Sequence, residues 1–319
     1  MDLRQLRYFV GIVQAGSLSR AAEQLHVAQS ALSRHLASLE QELDRQLVMR
    51  GPKGIVLTEA GHVLYGHAEA ILRHVESARQ GTMSAVNAPS GRVSIGFPFG
   101  WQDFLGFPLF AGMRRDYPEI VIHIIDGKSA LLREQLINGR LDLAVLFVNR
   151  PERGFAVEPL VLEELFYVSA EPDTSPIRLA EAAQRPLLAP GPGSSSQRAA
   201  EQAFAAQGLV VKPIGEIDAP GVFRHAIASG IGNAIMPWSG LYDPDSERKL
   251  SYRRFADATL MRPAALCYSE MAQRTLAVDA VAQRLKLLVR ELIDNGTWQG
   301  VSLIEPAPRA APPNELSGS

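Results

Sequence analysis

Along the first 43 residues, apolar side chains recur at helical spacing in three short stretches. Leu6, Phe9, Val10 and Val13 form the first stripe, and Gly16 followed by Ser17 supplies a helix stop and a fresh N-cap within two residues. Leu18, Ala21, Ala22 and Leu25 form the second stripe, its alanines small enough for another helix to approach closely. After the turn "HVAQ", in which Val27 is the expected buried plug, Leu32, Leu36, Leu39 and Leu43 form a third stripe at i, i+4, i+7 and i+11. Helix, sharp turn and helix on a three-helix core predict a helix-turn-helix.

The pattern then changes twice. Residues 47–58, "LVMRGPKGIVLT", set Gly51, Pro52 and Gly54 between short apolar segments, which predicts a hairpin wing with Arg50 and Lys53 near its tip. From Thr58, a cap, a long helix is expected: Ala60, Leu64, His67/Ala68, Ile71, Val75 and Ala78 follow in near-heptad steps. Nothing local is expected to cover that seam, so it asks for a partner helix. "SAVNAPSG", 84–91, breaks the periodicity and reads as a hinge.

From Arg92 onward strands alternate with helices. "RVSIGFP" predicts a strand, Asp103 to Tyr117 a helix, "IVIHIID" a strand, Ser129 to Asn138 a helix and "LDLAVLF" a strand, which together argue for βαβ units and a parallel sheet. "RPLLAPGPGSSSQRAAEQAFAAQG" repeats strand, Gly/Ser loop and helix; "FRHAIASGIGNAIMP" adds a helix and a buried strand. After "ALCYSE" a last amphipathic helix is expected from about Thr275 to Asp294, and the Pro- and Ala-rich tail 305–319 is expected to be disordered.

Composition narrows the chemistry. The formal net charge is −2, and residues 1–58 carry seven lysines and arginines against five carboxylates, so any DNA contact there must rest on a few well-placed groups. One cysteine, Cys267, excludes an intrachain disulfide and a cysteine-based metal cluster. No apolar run approaches the ~18 residues of a membrane span, and the N-terminus lacks a secretory signal, so a cytoplasmic protein without membrane contact is expected. "GPGSSSQ" lacks the GK[ST] of a phosphate loop, no GxSxG elbow exists, and His67 and His74 have no carboxylate or cysteine at ligand spacing. No catalytic residue, cofactor or metal is expected.

Four segments in this order resemble a family. "LRYFVGIVQAGSLSRAAEQLHVAQSALSRHLASLEQELDRQLVMR", "LTEAG", "RDYPEIVIHIIDGKSALLREQLINGRLDLAV" and "ASGIGNAIMP" are similar to the LysR-type transcriptional regulators, with the N-terminal half closest to the nitrogen-assimilation-control branch. The resemblance implies an α/β fold class with an N-terminal all-α winged helix-turn-helix (1–58), a dimerising linker helix (59–84), a hinge (85–91) and a two-lobed effector domain shaped like a periplasmic binding protein (92–304). Lobe I would comprise 92–161 and 266–304, and lobe II 162–265. The chain departs from the family where Ala28-Gln29-Ser30 replaces Ser-Gln-Pro at the start of the third helix, where Leu47-Val48 replaces Leu-Phe, and where Gly100 replaces a Ser or Thr.

The expected DNA face comprises Gln29, Ser30, Ser33, Arg34 and Ser38 on the third helix, with Arg50, Lys53 and Thr58 from the wing. Ser30 is also a candidate weak cap, and Thr58 is as much a helix cap as a phosphate ligand. Near-neutral charge and one short reading helix per chain call for a homodimer or homotetramer on interrupted palindromic double-stranded DNA. By the resemblance, Phe99, Gly100, Trp101, Ser129, Phe147, Ser194, Ser195 and Ser196 are candidate contacts for a small-molecule effector. The three serines, at a helix start, suit a carboxylate. The alternative is a small-molecule-binding protein or enzyme with a degenerate N-terminal interaction module, distinguished by whether the chain shifts promoter DNA.

Overall fold

The computed structural model describes residues 1–51, 54–83, 89–148, 150, 152–243, 250–271 and 274–304. The hinge expected at 85–91 and the tail expected at 305–319 therefore lie wholly or mostly outside the described residues.

Three helices open the chain: α1 (Leu3–Ala15), α2 (Leu18–Gln24) and α3 (Gln29–Leu43). Asp2 and Gln5 cap α1 reciprocally, Gly16 ends it with φ +68°, and Ser17 caps α2 through the Arg20 N–H, so the sharp junction is built from the residues that signalled it. Leu6, Phe9, Ile12, Ala21, Leu32 and Leu39 are all buried in one apolar core. Leu43, expected in that core, is 37% exposed, because the chain leaves the helix one residue later at Asp44, in the left-handed conformation.

The wing is the antiparallel hairpin β1 (Val48–Gly51) and β2 (Gly54–Leu57). Leu47 and Val48 are buried, so valine fills the position where the family has phenylalanine, and the Glu40 carboxylate accepts from both backbone N–H groups at 2.8 and 3.3 Å. Gly54 has φ +113°, and a Cβ there would stand 2.5 Å from the Gly16 carbonyl oxygen; only glycine lets the Ile55 N–H donate to that carbonyl at 2.9 Å.

Helix α4 (Glu59–Met83) follows. Its seam has more local cover than the periodicity predicts. Ala68 is fully buried and Ala60, Leu64 and Ile71 are partly buried against the core of α1–α3, while Val63 is 61% exposed and His67 is exposed.

The remaining elements are β3 (Gly91–Pro98), a π turn (Gln102–Gly106), α5 (Phe107–Asp116), β4 (Ile120–Gly127), α6 (Ser129–Ile137), β5 (Leu143–Leu146), β6 (Phe155–Ser169), α7 (Leu179–Ala183), β7 (Leu187–Ala189), α8 (Ser195–Ala206), β8 (Gly215–Glu216), α9 (Pro220–Ala228), β9 (Asn233–Pro237), a 3-10 turn (Trp238–Gly240), β10 (Ser251–Arg253), β11 (Met261–Ser269), α10 (Leu276–Asp294) and β12 (Val301–Leu303). The helix expected from Asp103 thus opens with a π turn. The 15-residue β6 and the short α7, β10 and β12 carry no period long enough to read.

Contacts divide the chain into two units. The first holds residues 1–144, 151–156 and 267–285; the second holds 145–150, 157–266 and the chain from Lys286. The expected lobe I took the whole last helix, whereas contacts part α10 after Leu285. In the first unit β3 is flanked by parallel β4 and β5. In the second, β9, β7 and β8 run parallel to one another, but β9, β10 and β12 pair antiparallel to β6. The sheet is therefore mixed, not purely parallel.

Candidate nucleic-acid interface and effector seat

Helix α3 has two faces. Leu32, Leu36 and Leu39 are buried, and Gln29, Ser30, Arg34 and Ser38 are exposed on the other side, with Ser33 half-buried between them. The stripe fixes the rotation of the helix, and that rotation turns the polar residues outward. Ala28 is the N-cap, with extended backbone and no side-chain cap, so Ser30 does not supply one. The Gln29 and Ser30 N–H groups thus receive no side-chain cap, and the start of the helix carries partial positive charge.

The polar residues are loosely held. Gln29 Oε1 accepts from Ser19 Oγ, Arg34 Nε donates to the Ser30 carbonyl and Ser38 Oγ accepts from Gln5 Nε2, each at 3.4 Å. Bonds this long are easily exchanged for base edges or phosphates. Thr58 is different. Its hydroxyl donates to the Gln46 and Leu47 carbonyls at 2.6 and 3.2 Å and accepts from the Gly61 N–H at 3.0 Å, so it caps α4 and straps the wing to it. Arg50 lies in β1, but its side chain and Lys53 lie outside the described residues.

In the first unit, Pro98 pairs with Gly127 at the carboxyl ends of β3 and β4. Phe99, Gly100 and Trp101 follow one strand end and Ser129 the other, so the sheet gathers these four at one edge. Gly100 has φ +93°, the left-handed region that a Ser or Thr there would adopt only with strain. Trp101 is fully buried and Phe99 is exposed. Beside them the Gln102 carboxamide oxygen is buried without a hydrogen-bond partner among the described residues.

In the second unit, Phe147, Ser195 and Ser196 converge on a residue the sequence reading did not single out, Arg262. Its guanidinium lies 3.7 Å from the Phe147 ring centroid and donates from Nη1 to Ser195 Oγ at 3.1 Å and Ser196 Oγ at 2.9 Å. Nε and Nη2 both donate to Glu163 Oε2, at 2.9 and 2.7 Å. Glu163 Oε1 accepts from Ser239 Oγ and from Trp298 Nε1, so this buried carboxylate is saturated. Burial pushes the Arg262 guanidinium below its usual pKa, opposed by the Glu163 charge beside it. Because Arg262 supplies the protons, the two hydroxyl oxygens act as acceptors, and the serine hydrogens are free to point elsewhere. Ser194, half-buried, is the uncapped N-cap of α8. Arg262 had one signal, a lone charge inside the apolar run "LMRPAAL"; Glu163 stands beside Glu164 in "LVLEELF", and nothing in the spacing says which of the two is buried.

A separate apolar cavity of about 250 Å³ lies between α8, β7 and the Leu209–Pro213 segment, lined by residues such as Leu187, Phe204, Val211 and Ile235 and by none of the expected effector contacts. Among the described residues no His, Cys, Asp and Glu are grouped to hold a metal, and no helix is long and apolar enough to cross a membrane. Cys267 is buried, and burial pushes its thiol up to about 12, so it is not a reactive thiolate at neutral pH.

Two family models match this chain: the bacterial regulatory helix-turn-helix protein of the lysR family over residues 3–62, and the LysR substrate binding domain over 87–289. The chain belongs to the LysR family of transcriptional regulators. Within the family it falls in the branch of the nitrogen assimilation regulatory protein nac of Escherichia coli strain K12, with 42% identity over 75% of this chain and 79% of that one. The Klebsiella aerogenes nac protein is 38% identical over the same shares. Among solved structures, a full-length OxyR from Pseudomonas aeruginosa superposes with a TM-score of 0.70 at 22% identity, over 96% of this chain and 99% of that one. Full-length CbnR in complex with its target DNA superposes at 0.65 and 20%, over 91% and 99%. These likenesses show the fold. The LysR-type chain is thus a DNA-binding transcriptional regulator with an effector-binding domain, and its relatives are regulators, not enzymes.

Proposed function

We propose that this regulator reads promoter DNA through Gln29, Ser30, Ser33, Arg34 and Ser38, with Arg50 and Lys53 gripping phosphates beside them. The observation that carries the reading is the two-faced α3, with Leu32, Leu36 and Leu39 fully committed to the core while an uncapped first turn and four exposed polar side chains face outward. Two copies bind an interrupted palindrome as a homodimer or homotetramer. Supporting this are Val63 on α4 and Phe107 on α5, apolar side chains exposed by 61% and 76%. The protein acts in the cytoplasm, where its DNA is.

In the effector domain, a small carboxylate binds at the open end of α8, received by Ser194, Ser195 and Ser196, with Arg262 holding the latter two as oriented donors. Phe147 shapes this seat, and Phe99, Gly100, Trp101 and Ser129, at the ends of β3 and β4 in the first unit, are separate candidate effector contacts. Relatives named for nitrogen assimilation make nitrogen-responsive promoters the first DNA to try. The test is a band shift and footprint on the chain's own upstream region. A salt-sensitive, sequence-selective shift whose footprint changes with a bound carboxylate is expected. No selective shift from a folded oligomer would overturn the DNA reading, and an unchanged footprint across a carboxylate panel would overturn the effector class.

A further inference from the structure

Helix α4 packs on α1–α3 with one face and, with another, on the turn between α6 and β5. Gly66 admits the Arg140 guanidinium, since a Cβ there would stand 2.8 Å from Arg140 Nη2. Gly139 turns with φ +62°, and a Cβ on it would meet Met271 Cβ at 3.2 Å and Ala70 Cβ at 3.6 Å. Across this close seam Arg73 donates from Nη2 to the Gly139 carbonyl. Arg140 lies 5.9 Å over the Tyr65 ring, with its Nε 3.6 Å from Glu69 Oε2. On its other side Tyr65 meets α1. Its hydroxyl accepts from Gln14 Nε2 at 3.4 Å, and its ring stands edge-on to Phe9 with centroids 6.4 Å apart. One tyrosine therefore touches the DNA-binding core and the effector domain's arginine together.

Two polar atoms in the seam are unsatisfied. Arg140 Nε is buried without a hydrogen bond, because Glu69 stands at ion-pair distance but too far to accept, and His74 Nε2 is buried likewise. Among the described residues no side-chain nitrogen or oxygen of α1–α3 is in that state. Orphaned buried polar atoms raise the energy of the packing that traps them, and water satisfies them once the seam opens. Opening the seam therefore relieves a cost that opening the contact with α1–α3 does not.

We propose that Arg140 is a positioning residue: acting on Tyr65 and Glu69, it clamps α4 to the effector domain in a releasable contact and so sets how the DNA-binding helices are carried. The positioning half rests on the DNA-binding reading above; the clamp does not. Both are tested on the full-length protein with Arg140→Gln, Arg140→Lys, Glu69→Arg and the charge-exchanged pair E69R with R140E. Amide hydrogen exchange across residues 65–74 needs no DNA. It is expected to quicken about tenfold in Arg140→Gln and Glu69→Arg and to return toward wild type in Arg140→Lys and the exchanged pair. Exchange within about twofold of wild type in Arg140→Gln, or an exchanged pair no slower than Glu69→Arg, overturns the clamp. Promoter bending, read by energy transfer between labelled DNA ends, is expected to change in Arg140→Gln while affinity stays within about threefold. Faster exchange with unchanged bending overturns the positioning role. A wild-type protein that binds no promoter DNA overturns the regulator reading and the positioning role with it, while the exchange result decides the clamp separately.

Discussion

In the helix-turn-helix most buried residues that set the fold lie in three consecutive helices, joined by Leu47, Val48 and Ala68, and the core they make is almost wholly apolar. Around Arg262 the opposite holds. That core is ionic, and its bonds join residues 66, 76, 99 and 135 positions apart in the chain. The comparison teaches two ways of holding a functional surface still. An apolar stripe fixes the rotation of α3 and leaves the outward side chains free, as the proposed DNA reading requires. A saturated buried ion pair fixes individual hydrogen-bond directions at α8, as the proposed carboxylate seat requires.

Breaking the ionic core should cost most. Arg262→Ala leaves the Glu163 carboxylate buried without its cation, and urea unfolding is expected to lose about 3–5 kcal/mol. Replacing both, Arg262→Met with Glu163→Leu, should recover most of that loss while abolishing any carboxylate response. A double variant as unstable as the single would show that the pair is not what holds this core.

Leu32→Ala attacks the apolar core at a fully buried position and should cost about 3 kcal/mol, with faster amide exchange in α1–α3. If exchange around α8 rises equally, the two cores are not the separate systems described. Arg34→Ala sharpens the contrast from the surface. It should leave unfolding within about 0.5 kcal/mol of wild type, yet weaken specific DNA binding by about 1–3 kcal/mol. Unchanged footprints would remove Arg34 from the reading face. The smallest effect is a gain. Ala28→Ser supplies the missing N-cap to a backbone already extended at that position, and thermal unfolding should show about 1 kcal/mol of stabilisation. No gain would mean that the open first turn is satisfied in another way.

Much of the DNA-binding domain was legible because its signals are local. The Gly16-Ser17 junction, the leucine stripe of α3 as far as Leu39, the two wing strands and the cap at Thr58 each depend on residues a few positions apart, and these form as read. Leu43 was misread because periodicity continued one residue past the point where Asp44 ends the helix. The seam of α4 was read with the right residues but the wrong cover. Nothing in its spacing says that Ala68 will meet α1 or that Gly66 will admit Arg140. In the effector domain the helices and most strands were readable, but β6, although 15 residues long, was not, since both its faces are buried over much of its length and its pattern lacks clean alternation.

Sequence alone determined the family, the order of the elements up to β5, the two-faced α3 and the serines at the start of α8. Those properties follow from short-range spacing, which survives without coordinates. Tertiary structure decided that Arg262 and Glu163 meet beneath those serines, and that Arg140 reaches the linker helix. It decided also that Gly100 occupies a conformation its usual replacements would resist. The two meetings depend on chain segments separated by dozens of residues arriving within 3 or 4 Å of one another, and no local pattern encodes them.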